Sequence, residues 1–239
     1  MHRKLLLIPA LALPALISHA ADEDAEKSWK GSSELGYINT SGNTDTTSLN
    51  AKFGVMHSGE NWDTTFKADA LTSEEDGTTS KEKYASSLQF DRNFTKHHYL
   101  LFLGEYEDDR FSGYEYQSQV SVGYGNRAIN NDTMQLDLEI GPGYRYDRLD
   151  EGGETEDETI LRTAANYFWE IRDGVEFTQE VSADTGSDNT ILRSETGLKS
   201  QINGSLATKL TYSIKHTKEV PEDSENTDRE FGVTLVYSF

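Results

Sequence analysis

Charged side chains recur at alternate positions in this sequence, opposite apolar ones, and that pattern carries most of its chemical potential. Lys52, Lys67 and Lys83 recur with Asp63, Asp69 and Asp91 in one part of the chain. Glu115, Asp137, Glu139, Glu176 and Glu180 follow, and then Arg193, Lys199, Lys209 and Lys215 with Glu195. If these positions face an enclosed aqueous space, two mainly basic sectors stand opposite an acidic arc. A lining of that kind orients polar solutes and sets ionic selectivity. The structural alternative is that the charges pair with one another and fill the interior.

Two further groups could do chemistry. Acidic runs crowd 147–158, 219–228, 74–76 and 107–109, including Glu151, Glu154, Glu222 and Asp223. Hard divalent cations take oxygen ligands of this type, although no segment has EF-hand spacing and Gly152-Gly153 favours mobility. A solvated surface is the plainer account, with weak cation association beside anionic lipopolysaccharide as the functional one. The histidines His57, His97, His98 and His216 would serve a hydrolase only with a serine and an orienting partner. None has such a partner in its motif, so no enzymatic activity, catalytic residue or cofactor is expected. With no cysteine there is neither a disulfide nor a thiolate metal site.

The elements that must hold these charges are strands. In 229–239, Phe231, Val233, Leu235, Tyr237 and Phe239 take every second place. A period of two gives a strand with one apolar and one wet face. A soluble sheet seldom exposes five apolar residues on a terminal strand, because an open edge invites aggregation. Closure into a barrel surrounded by lipid removes that problem. The same alternation predicts twelve strands, at 29–39, 48–57, 62–72, 83–94, 99–106, 114–124, 134–146, 160–169, 175–183, 190–202, 206–216 and 229–239. The faces of 99–106, which begins Y-L-L-F-L, cannot be assigned from pattern. Pro142 implies a bulge or local break in the seventh strand.

The connections alternate between short ones and mostly longer, acidic ones, such as 73–82, 147–159 and 217–228. That predicts a single 12-stranded antiparallel transmembrane β-barrel with short periplasmic turns and longer extracellular loops. Trp29, Trp62 and Trp169 each fall at the periplasmic end of a strand on its apolar face, as one aromatic girdle; Tyr37, Tyr84, Tyr114 and Tyr144 would form the upper one.

Bulk properties fit. Residues 1–20 read as a signal peptide, with Arg3 and Lys4, an apolar stretch broken by Pro9 and Pro14, and the cleavage site Ser18-His19-Ala20. The apolar run is too short for a spanning helix. The remainder, 21–239, is one all-β domain. It keeps 20 basic against 42 acidic residues, which excludes nucleic acid as a sensible partner. A mean hydropathy of −0.69 looks soluble, but barrels alternate their apolar residues instead of concentrating them.

The stretch E-L-G-Y-I-N-T-S-G-N-T-D-T-T-S-L-N-A at 34–51, above all the loop Thr40-Ser41-Gly42-Asn43-Thr44, resembles the opening of the YdiY-like family. E-Y-E-D-D-R-F-S-G-Y-E-Y-Q at 105–117 and G-P-G-Y-R-Y at 141–146 support the resemblance, which covers essentially the whole chain after residue 20. Members of that family are described as salt-induced outer-membrane proteins with a domain of unknown function. The resemblance implies a barrel in the outer membrane of a Gram-negative cell, linked to salt or osmotic adaptation, and brings no catalytic residues. The ending, with Phe231, Tyr237 and Phe239, also resembles the terminal signal read by the barrel assembly machinery. The expectation is therefore a porin-like barrel giving passive passage to small polar or ionic solutes, in contact with outer-membrane lipid and lipopolysaccharide. The rival is a closed barrel acting structurally or through its acidic loops; an outer-membrane hydrolase is a distant third.

Overall fold

The computed structural model describes residues 28–40, 46–150, 152–221 and 224–239. The signal peptide, most of the Thr40–Thr44 loop motif, Glu151, Glu222 and Asp223 lie outside the described residues. Twelve strands follow one another: β1 (Trp29–Thr40), β2 (Thr46–Ser58), β3 (Trp62–Glu75), β4 (Thr78–Asn93), β5 (His98–Asp109), β6 (Tyr114–Asn130), β7 (Met134–Leu149), β8 (Thr155–Arg172), β9 (Val175–Thr185), β10 (Thr190–Gln201), β11 (Leu206–Thr217) and β12 (Thr227–Ser238). Each pairs antiparallel with its sequence neighbours, and β12 returns to β1, so the sheet closes into a barrel with no free edge. No helix of the described residues is long and apolar enough to cross a membrane.

The period of two decides the faces. On β12 the outward Phe231, Val233, Leu235 and Tyr237 are exposed, while Thr234 and Val236 between them are buried in the interior. Trp29, Trp62 and Trp169 are likewise exposed on the outer wall, all near the rim that carries the short turns. An outer wall this apolar matches hydrocarbon, and the closed ladder leaves no strand edge for hydrocarbon to meet.

Several boundaries differ from the sequence pattern. The segment 73–82 is almost all ladder: β3 continues to Glu75, β4 starts at Thr78, and Asp76-Gly77 turns the chain with both residues at positive φ, 49° and 77°. That is the backbone a two-residue hairpin requires, and Asp-Gly supplies it cheaply. Polar residues misled the pattern because a strand rising beyond the apolar belt no longer alternates. Pro142 makes the local break and not a bulge: the ladder to β6 lapses between Ser121↔Gly143 and Tyr124↔Ile140, which keep one register. Register shifts on β6 lie instead between Tyr114 and Tyr116 and between Arg127 and Ile129.

The bulge at Tyr114 overturns two expectations. It puts Tyr114 inside the barrel, 4% exposed, where strict alternation assigns it to the outer girdle. Glu115, expected in the lumen, is on the outer wall instead, 2.6 Å from Arg148 Nε. An extra residue in one strand reverses the facing of everything beyond it.

The closing seam is the shortest ladder. Four pairs join β1 to β12, from Ser32↔Ser238 to Leu35↔Leu235, against ten or more at every other junction. Phe239 extends it through reciprocal backbone bonds with Gly31, at 2.8 and 2.9 Å. Its ring lies over Gly31, where an added Cβ would stand 2.3 Å from it, and stacks on Tyr237.

Candidate functional site

The inward face of β5 is resolved by its neighbours. Tyr99, Leu101 and Leu103 point into the barrel and are almost fully buried. Space for the Tyr99 ring comes from the inward Gly125 on β6, while Gly123 on β6 and Gly141 on β7 let those two strands approach each other closely. A Cβ on Gly125 would lie 2.1 Å from the Tyr99 ring. The signal was legible in principle, since glycine at alternate places on neighbouring strands marks close approach by a side chain or another strand.

Around Tyr99 a polar network fills the short-turn side of the bore. The Tyr99 hydroxyl donates to Glu139 at 2.8 Å, and the Gln89 amide donates to both Glu139 and Asp91. Arg127 lies 4.7 Å over the Tyr99 ring and reaches Asp63 at 3.2 Å. Asp137 stands in register with Arg127.

The middle of the bore is different. Lys67 on β3 and Glu180 on β9 stand half the ring apart, five strands between them either way round, and their side chains meet at 2.9 Å. Enclosed by the wall on all sides, both remain about half accessible to water, 50% and 48%. Lys52 lies 3.0 Å from Glu195 and 3.6 Å from Asp69; Lys209 lies 3.0 Å from Glu34 and 3.8 Å from Glu195. Nearer the opposite rim, Lys215 on β11 and Glu107 on β5 form a second diametric pair at 2.5 Å. Lys83 joins it from 3.7 Å and reaches Glu230 at 3.9 Å. This second layer is drier, with Lys215 only 11% and Glu107 15% exposed. A chamber of about 270 Å³ is bounded by Lys52, Asp69, Glu180, Glu195 and the Lys215–Glu107 pair. Another of about 440 Å³ continues past Lys83 and Glu230 towards the rim.

A buried knot on β7–β10 supports this wall. Asp184, fully buried, takes Arg193 at 2.6 Å and Arg162 at 3.3 Å; Arg162 lies 3.7 Å from Glu105. Arg145, 3% exposed, is held by Asp147 at 3.2 Å and by Glu158. Glu158 in turn accepts the backbone N–H groups of Asp188 and Asn189, fastening the β9–β10 turn to the barrel. Asn189 passes the tether on to the backbone of Glu219. Of these groups the sequence pattern assigns only Arg193 to the lumen and leaves Asp147, Glu158 and Glu219 in acidic loops, because sign alone does not tell a tether from a lining.

Placement of the singled-out residues is therefore mixed. Lys52, Lys67, Lys83, Glu180, Lys209 and Lys215 meet partners across or along the bore, whereas Glu176 and Lys199 pair with each other at 2.7 Å on adjacent strands. Arg193 belongs to the buried knot, and Asp137 and Glu139 to the Tyr99 network. Glu115 is outside. Phe231, Tyr237 and Phe239 lie on the outer wall of the last strand and its end. Each basic lumen residue thus has a carboxylate beside it, so the sectors of one sign read from sequence resolve into a mosaic of pairs.

The histidines make local contacts. The His57 ring lies 4.4 Å from that of Trp29, tilted by 52°; His97 meets the Arg127 carbonyl at 3.0 Å. His98 bonds Tyr124 and His216 bonds Thr227. Among the described residues, no three acidic or imidazole side chains gather into a metal-holding group.

Comparison with known proteins agrees with this geometry. The family described as "Protein of unknown function, DUF481" matches residues 33–239. The uncharacterized protein YdiY of Escherichia coli (strain K12) is 31% identical over 215 residues, covering 90% of this chain and 84% of that protein. Among solved structures, an outer membrane channel of Pseudomonas putida F1 superposes with a TM-score of 0.53 at 8% identity, over 88% of this chain and 95% of that one. The KdgM porin in complex with disordered oligogalacturonate gives a TM-score of 0.47 at 10% identity, over 87% and 99%. At 8% identity the Pseudomonas putida channel shows a shared outer-membrane barrel fold and no more.

Proposed function

The chain belongs to the DUF481 family, and from that premise and the geometry of its bore we propose that it is a narrow passive channel for small polar or ionic solutes in the outer membrane. The observation that carries the reading is the Lys67–Glu180 pair. It crosses the full width of the barrel, yet both side chains stay about half wetted. Charges packed as a structural core are desolvated and held by several partners; Asp184 is an example. A pair that spans the bore with about half of each side chain still accessible is instead placed to act on whatever passes.

In this reading the short-turn rim faces the periplasm. The apolar wall meets lipid and lipopolysaccharide, and the terminal aromatics are read by the assembly machinery. A part in salt or osmotic adaptation belongs to the same proposal and rests on family likeness. Planar-bilayer recording with purified protein tests it: steady current above the lipid background is expected. A second reading, a closed structural barrel, is favoured by the Tyr99–Leu101–Leu103 filling and the Asn189–Glu219 tether. Membranes that incorporate folded protein and stay silent would select it.

A further inference from the structure

We propose, building on the channel reading, that the bore passes zwitterionic small molecules in preference to uncharged ones, with Lys67–Glu180 as the site where the solute exchanges for the pair. The argument begins with the mosaic of signs. A ring of one sign selects ions of the other. Here Lys67 faces Glu180, Lys52 lies between Asp69 and Glu195, and Lys209 sits beside Glu34. Neighbouring opposite charges largely cancel for a distant single ion, but they leave strong local fields for a dipole.

A solute whose path runs through this pair has to part it. Lys67 Nζ reaches both carboxylate oxygens of Glu180, at 2.9 and 3.0 Å, so parting leaves two charges without their partner, each about half accessible to water. An anion compensates Lys67 alone, and a cation Glu180 alone. An uncharged molecule offers only weak dipoles to either. A zwitterion replaces both: its carboxylate takes Lys67 while its ammonium takes Glu180, and the pair closes again behind it. The adjoining 270 Å³ chamber accepts a solute of amino-acid size, being many times the roughly 10–15 Å³ that one water needs. On its wall, Lys52 with Glu195 offers the same two-point reception.

Glycine and glycolamide test this cleanly. They are isomers, one zwitterionic and one uncharged, and neither carries net charge, so no membrane potential develops. Proteoliposomes containing the full chain are placed in each solute and their swelling is recorded, with protein-free liposomes giving the leak through lipid. Protein-dependent swelling should be roughly fivefold faster with glycine, the ratio expected when a water-exposed ion pair is replaced rather than merely broken. Lys67→Gln with Glu180→Gln should bring the ratio to near unity while swelling persists. The exchanged pair, Lys67→Glu with Glu180→Lys, should keep it.

Equal rates in the natural protein would overturn the inference and leave the channel standing. A glycine preference that survives the double Gln substitution would overturn the assignment to this pair. Swelling with neither solute, and no current, would remove the channel itself.

Discussion

Lys67 Nζ and Glu180, carried by strands on opposite sides of a twelve-strand ring, meet in the middle of the barrel at 2.9 Å. The pair combines maximal separation along the wall with side chains that stay about half accessible. Its removal should therefore be felt in transport more than in folding, because exposed ion pairs contribute at most about 1 kcal/mol to stability.

The first expectation concerns current. Lys67→Glu places two carboxylates where a pair now stands, and charge repulsion holds them apart. Conductance should rise and the reversal potential in a salt gradient should move towards that of the cation. Reversing Lys52 and Lys209 as well should extend the shift, since both lie beside Glu195. An open channel with unchanged selectivity would show that these residues do not line its path.

Asp184 should behave in the opposite way. It is fully buried between Arg162 and Arg193. Asp184→Asn leaves two guanidinium groups short of a carboxylate, a change that costs about 3–5 kcal/mol when the site is buried. Urea unfolding of protein inserted in liposomes should shift accordingly. A change within about 0.5 kcal/mol, typical of neutral surface positions, would mean that water reaches the knot.

Gly125 should tolerate nothing larger while Tyr99 is present. An added Cβ would stand 2.1 Å from that ring, so Gly125→Val overpacks the site, at about 1–3 kcal/mol. Tyr99→Ala in the same chain should restore folding. Alone, Tyr99→Ala should enlarge the bore and raise conductance, because the ring occupies inward space on the short-turn side.

Closure of the barrel rests on Gly31 and Phe239. Gly31→Val drives a side chain into the Phe239 ring at the seam with fewest paired residues. The folded band on an unheated denaturing gel should weaken, and Phe239→Ala combined with Gly31→Val should recover part of it. If Gly31→Val assembles as well as the natural chain, the terminal ring does not dock there.

Much of the architecture was legible in the residues. Alternation is a local property, so Phe231, Val233 and Leu235 declare their outward face without reference to any other strand. The tryptophans declare their rim for the same reason. Strand number and closure follow from counting such segments. Alternation failed where the backbone departed from a strict period of two: the bulge at Tyr114–Tyr116 turned Tyr114 inward and Glu115 outward. It failed also on β5, where L-L-F-L is apolar on both faces because Phe102 lies on the exposed outer wall while Leu101 and Leu103 join Tyr99 in a buried cluster inside.

What no local pattern could supply was the pairing across the bore. Which carboxylate faces Lys67 depends on the register of every ladder around the ring, added up until the last strand meets the first. A slip of one residue at any junction would change the partner. The sequence by itself determined two faces and a barrel; only the closed sheet decided that Lys67 meets Glu180 and Lys215 meets Glu107. Side-chain facing is set by the chain's own geometry, whereas opposition across a cylinder is set by the cylinder.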